Sequence, residues 1–196
     1  MRKLLYEFDH EKTTQSINYF AIKHKGRIGK LKFLKLIYLA DRYHLRRWGR
    51  PILHDQYYAM KFGPVAASAK DIFEFKELDE TELNYASRYL KPHSQNDSVS
   101  SIAEVDNTVF SESDLESLAF AYKHFGRHQT NQLVDMTHLY PEWSKHQATL
   151  QKTTRVPIDY LDFFENPSGL ENDEFYLSKE ILLAAKETFK EECQIA

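Results

Sequence analysis

Asp41 and His44 stand three residues apart in a strongly apolar stretch, LKFLKLIYLADRYHLRRW over residues 31–48. A carboxylate beside an imidazole orients the ring and raises its basicity, so the pair could be an acid/base couple or the start of a metal site. Asp41 also falls between Ile37 and Leu45 on the apolar side, where a carboxylate needs a reason to be. The structural alternative is that it accepts hydrogen bonds from amides of a neighbouring turn, or from His44 and a tyrosine, and so pins the connection that follows. That alternative is preferred. The remaining histidines contain no H-E-x-x-H spacing, and Gly126 interrupts the only close pair, His124 and His128. No serine has a G-x-S-x-G setting, and neither a P-loop nor a dinucleotide fingerprint is present. No catalytic, cofactor-binding or metal-ligating residue is therefore assigned, and the chain is read as a non-enzyme.

A second constellation interleaves basic and aromatic side chains: Arg42, Arg46, Arg47, Arg50, Tyr57, Tyr58 and Lys61. Such a cluster could bind nucleic acid or an acidic protein surface, although each residue alone reads more simply as a solvated helix edge beside core tyrosines.

The elements that must carry these residues follow from periodicity. Leu34, Ile37, Tyr38, Leu45 and Trp48 recur at helical spacing, and Phe33, Leu36, Leu39, Ala40 and Tyr43 widen the stripe. So wide a stripe predicts a buried central helix whose narrow polar line, Lys32, Lys35, Arg42 and Arg46, faces water or a partner. Gly49 and Pro51 stop it near Trp48. The aromatic, β-prone run 56–62 reads as a strand, Gly63-Pro64 as a turn, and 66–75 as a helix. Earlier, Thr13 or Thr14 caps a helix to about Lys25, with Ile17, Phe20, Ala21 and His24 inward. Residues 77–101 read as a surface connection, and 102–109 as a short strand able to pair with 56–62. Ser113 and Glu116 form a capping box that starts a helix ending at Gly126. Thr130 caps another, Pro141 opens a third that turns Trp143 inward, a helical piece covers 160–164, and Ser178 caps a last helix with Ile181, Leu182, Ala185 and Phe189 on one face. The fold expected is mainly α, a compact helical bundle around the central helix with a small β element. Residues 1–155 form its body, and 156–196 are a helical extension packed on it.

Composition narrows the class. At 196 residues and 42% hydrophobic, the chain can fill one core without staples. Its single cysteine, Cys193, excludes an internal disulfide, and no run approaches the length of a membrane span, Leu4-Leu5 being the only apolar step at the start. A soluble cytoplasmic protein is expected. Charge is divided: residues 1–64 hold 14 Lys/Arg against 5 Asp/Glu, and residues 65–196 hold 12 against 24. That asymmetry reads as internal complementarity or as a face for a macromolecular partner.

The run LKLIYLADRYHLRRWGRPI followed by YYAMKFGPV resembles the signature of the Panacea domain, the SocA-like antitoxin family. FSESDLESLAFAYKHFG and then Thr137-His138-Leu-Tyr-Pro141-Glu-Trp143 are similar to its downstream helices in the same order, so the likeness runs from about Lys30 to Trp143. It places Asp41, His44, Gly49, Pro51, Gly63, Pro64 and Trp143 on structural positions of the motif. The resemblance implies a helical antitoxin that neutralises, by direct binding, a toxin encoded by the adjacent gene. Some relatives act as adaptors delivering the toxin to a protease, and others add DNA-binding segments. A nucleic-acid-binding regulator is possible but not favoured, and no membrane partner is expected.

Overall fold

A computed structural model describes residues 7–169 and 173–194. The Leu4-Leu5 step lies outside the described residues, as does the side chain of Cys193. The architecture is mainly α, with eight α-helices and two small three-stranded antiparallel sheets among the described residues. No helix among them is long and apolar enough to cross a membrane.

Helix α1 (His10–Lys23) starts earlier than the threonines suggest, because the Asp9 carboxylate accepts from the Lys12 amide at 2.8 Å. Ile17, Phe20 and Ala21 are buried as expected, whereas His24 lies exposed beyond the helix end. Strand β1 (Arg27–Gly29) leads directly into α2 (Lys30–Trp48). Every residue of α2 from Lys32 to Arg46 is buried, since α1, α3, α5, α6 and α8 all pack against it. Gly49 adopts φ 73° and closes the helix after Trp48.

Strand β2 (Tyr57–Met60) pairs on one side with β3 (Gly63–Ala66) and on the other with β6 (Arg155–Pro157). Residues 102–109 therefore do not supply the hairpin partner; Gly63-Pro64 begins a strand, and 107–109 is a 3-10 turn. Helix α3 (Ala67–Glu74) follows, its first amides at Ser68 and Ala69 donating to the buried Asp55 carboxylate at 3.0 and 2.7 Å.

The connection expected at 77–101 is ordered structure. Asp79 and Glu82 form a capping box for α4 (Glu80–Tyr89), and β4 (Leu90–His93) and β5 (Ser98–Ser101) form a hairpin that adds β1 to make the other sheet. Helix α5 (Glu112–Phe125) starts two residues ahead of the expected cap: Ser111 and Asp114 make the box, which leaves Ser113 free to meet His44. Helices α6 (Thr130–Thr137) and α7 (Pro141–Ser144) follow, with Pro141 in the first turn and Trp143 buried. A 3-10 helix at Tyr160–Phe164 precedes α8 (Lys179–Gln194), which lies against α2. Leu182, Ala185 and Phe189 face inward, but Ile181 is exposed.

Candidate partner-binding face

Asp41 and His44 bond to different partners. The Asp41 carboxyl accepts from the Ile52 amide and the Tyr57 hydroxyl, at 2.5 and 2.8 Å, which ties the loop after α2 and strand β2 to the helix. Burial pushes its pKa up to about 7, against the downward pull of those two bonds. His44 is held down to about 4, chiefly by burial, so the ring is neutral near pH 7. Its Nδ1 lies 2.7 Å from the Arg50 carbonyl, which can only accept, so Nδ1 carries the proton and Nε2, 3.0 Å from Ser113 Oγ, accepts. Both nitrogens are occupied. Among the described residues no group of three or more His, Cys, Asp or Glu side chains could hold a metal ion.

The polar line of α2 does not face water. Lys35, Arg42 and Arg46 are fully buried and Lys32 is 6% exposed. Arg42 donates at 2.5 Å to Glu142, which also accepts from the Tyr38 hydroxyl, and the guanidinium lies 4.1 Å from the Tyr140 ring centre. Arg46 donates to the carbonyls of Phe163, Glu165 and Phe175 and to the Asn166 side chain. Burial pushes it down to about 9. Lys35 donates to the Pro64 carbonyl at 2.8 Å, and burial lowers it to about 7. Gly63 makes room for it: at φ 99°, a Cβ there would fall 2.7 Å from Lys35 Nζ and 2.6 Å from Thr137 Oγ1. A helix this wide in apolar contact has no free edge, so its cations find acceptors inside.

The expected interface cluster is accordingly dispersed. Arg42, Arg46 and Tyr57 are internal. Arg47 lies over the Tyr43 ring at 3.7 Å, Arg50 reaches Ser111, Ser113 and Asp114, and Tyr58 lies under Arg155. Lys61 stands exposed beside the Phe62 ring and lines a cleft with Lys30 and Leu31, in the first turn of α2, whereas Arg47 is in the last.

A different face is built around the first turn of α2. On one side lies a cleft of about 780 Å³ whose apolar wall includes Leu31, Leu34, Met60, Phe62, Val65 and Trp143, with lysines, glutamines and threonines completing the lining. Trp143 is held there by its Nε1 donating to the Met60 carbonyl at 2.8 Å and by His138 stacked at 3.6 Å. Phe62, at the hairpin tip, is 55% exposed. On the other side lies a basin of about 950 Å³ whose lining includes Lys23, Lys25, Lys30, Lys32 and Arg127. Lys30 and Leu31 border both. The signal that could have located the basin is the run 23–35, which holds six Lys/Arg and no Asp or Glu.

A family profile described as antitoxin SocA-like, Panacea domain, matches residues 33–144, more than half of the chain. The chain belongs to this antitoxin family. Neither the curated proteins nor the solved structures gave a match. The Panacea stretch runs from the first turn of α2 through α7, so the buried Lys35, Arg42 and Arg46, the Asp41 pin, Gly63 above Lys35 and the Trp143 wall of the cleft lie within it. All four lysines lining the basic basin precede it, and Arg127 lies within it.

Proposed function

We propose that this Panacea protein neutralises its toxin by holding it in a direct protein complex, through the face around the first turn of α2. Family membership supplies the toxin–antitoxin role. The observation that carries the choice of face is Phe62, a large aromatic more than half exposed at the edge of an apolar cleft with lysines at its rim. Interfaces that exclude water combine an apolar centre containing aromatic anchors with a polar surround. The cluster proposed from sequence contributes Lys61 to this face, while Arg47 and Arg50 stand at the far end of α2.

The test is growth of cells induced for the product of the adjacent gene, with and without this chain, followed by co-purification. The expected result is rescue together with a stable complex. Phe62→Asp should keep the melting temperature yet weaken the complex at least tenfold, a loss of about 1.4 kcal/mol or more. Full rescue and undiminished binding by Phe62→Asp would move the interface elsewhere. Rescue with loss of the toxin, and no complex, would replace direct binding by delivery to a protease.

A further inference from the structure

The basic basin poses a separate question, because its charge is poorly answered within the chain. Among the described residues, Lys30 alone of its lining cations has carboxylate partners, Glu74 at 2.9 Å and Asp97 at 3.0 Å. Asp97 is the sole acidic residue in the lining. Lys23, Lys25 and Arg127 form no ion pair among the described residues. Lys32 is more telling. The residue is 6% exposed, and its ammonium, at the basin wall, donates to the His128 backbone carbonyl and forms no ion pair among the described residues. A cation so placed loses hydration without gaining an opposite charge, which favours an anion arriving from outside. The same field is visible at His24, which is lowered by burial first and then by Lys32 and Lys25. Helix α6, eight residues long, begins at the basin wall and adds the positive end of its dipole.

The basin is poorly suited to bases. Its rings are Tyr122 and the small imidazoles of His24 and His128, with no phenylalanine or tryptophan in the lining to give the broad stacking platforms of single-stranded nucleic-acid sites. Lysines outnumber the single arginine, giving point charges rather than the planar forks that grip phosphate in two places. Point charges on flexible stems suit carboxylates scattered along a protein segment. Continuity with the apolar cleft through Lys30 and Leu31 adds the second half of the match.

We propose that the basin between the α1–α2 connection and the start of α6 receives an acidic segment of the toxin, one whose neighbouring apolar side chains enter the cleft beside Phe62. This rests on the reading that the toxin is bound directly. Lys25 and Arg127 are exposed, so reversing them leaves the core untouched. The experiment titrates the purified adjacent-gene toxin with wild type and with the double variant Lys25→Glu/Arg127→Glu, from low to high salt. The result expected is a wild-type Kd that weakens steeply with salt, and a variant Kd raised at least tenfold with a flatter salt dependence. A complex that forms with equal Kd and equal salt slope in both proteins overturns the acidic-segment assignment while leaving direct binding intact. Absence of any complex with wild type overturns both. Unchanged toxin affinity together with a variant-sensitive RNA mobility shift overturns it in favour of nucleic acid.

Discussion

Asp41 holds its carboxyl where ionisation is costly, and that cost makes it visible to pH. Its pKa is near 7 in the folded chain and near 3.8 in the unfolded one, so between those values the folded state keeps a proton that the unfolded state releases. The stability it contributes is complete below pH 4 and is lost as pH rises towards 7, by roughly 4 kcal/mol across the window. Asp41→Asn mimics the neutral acid and can still accept from the Ile52 amide. Urea unfolding of both proteins from pH 4.5 to 8 should therefore show wild type losing stability relative to Asp41→Asn until about pH 7, then a constant difference. A difference independent of pH would mean that Asp41 is ionised throughout. His44 and His54, both lowered to about 4, act in the opposite sense, but they are common to both proteins and cancel in the comparison. Asp41 as a pin was legible in the sequence as a polar residue on an apolar face; the identity of its partners was not, because Ile52 and Tyr57 meet it only once the chain has turned.

At the scale of elements, α2 and α8 meet at Gly49. A Cβ there would fall 2.5 Å from the Ala185 carbonyl and 2.7 Å from Thr188 Cβ, and the backbone is left-handed at φ 73°. Gly49→Ala thus adds about 1–2 kcal/mol of backbone strain and about 1–3 kcal/mol of overpacking. Thermal unfolding should show a clear loss of stability, one that Thr188→Ala leaves largely in place, because the Ala185 carbonyl and the Cβ of residue 188 both remain. An unchanged melting temperature in Gly49→Ala would mean that α8 shifts to admit the added carbon at no cost. The glycine was readable as a helix stop, since that signal is local, but its contact with a helix some 135 residues later was not. The same division runs through the other elements. Apart from α4, which was read as a surface connection because its segment is so polar, helix interiors followed from periodicity, whereas the starts of α1 and α5 moved because more than one capping residue stood near each N-terminus. The partner of β2 was misread because pairing across a sheet leaves no spacing in the sequence.

Over the whole molecule, the family stretch ends at residue 144 but its packing does not. Arg46 is satisfied by the carbonyls of Phe163, Glu165 and Phe175, β6 completes the second sheet, and the Phe175 ring stacks on Phe125 at 5.5 Å. A fragment of residues 1–144 loses those acceptors together with the cover they lay over α2, and exposes the apolar surface that Phe163, Phe175 and α8 bury, a loss of several kcal/mol. It should show no cooperative melt by circular dichroism, while the full chain does; a sharp transition in the fragment would make residues 145–196 an accessory. The candidate face was the least legible part of the sequence, because the lysines and arginines that periodicity assigned to the outside of α2 are the ones the fold takes in. That inversion has a practical side. With Lys35, Arg42 and Arg46 serving as internal fasteners, the exposed Lys23, Lys25 and Arg127 carry little of the scaffold's integrity. An engineer seeking to retarget the antitoxin could rewrite them as freely as the letters on a nameplate, leaving the door on its hinges.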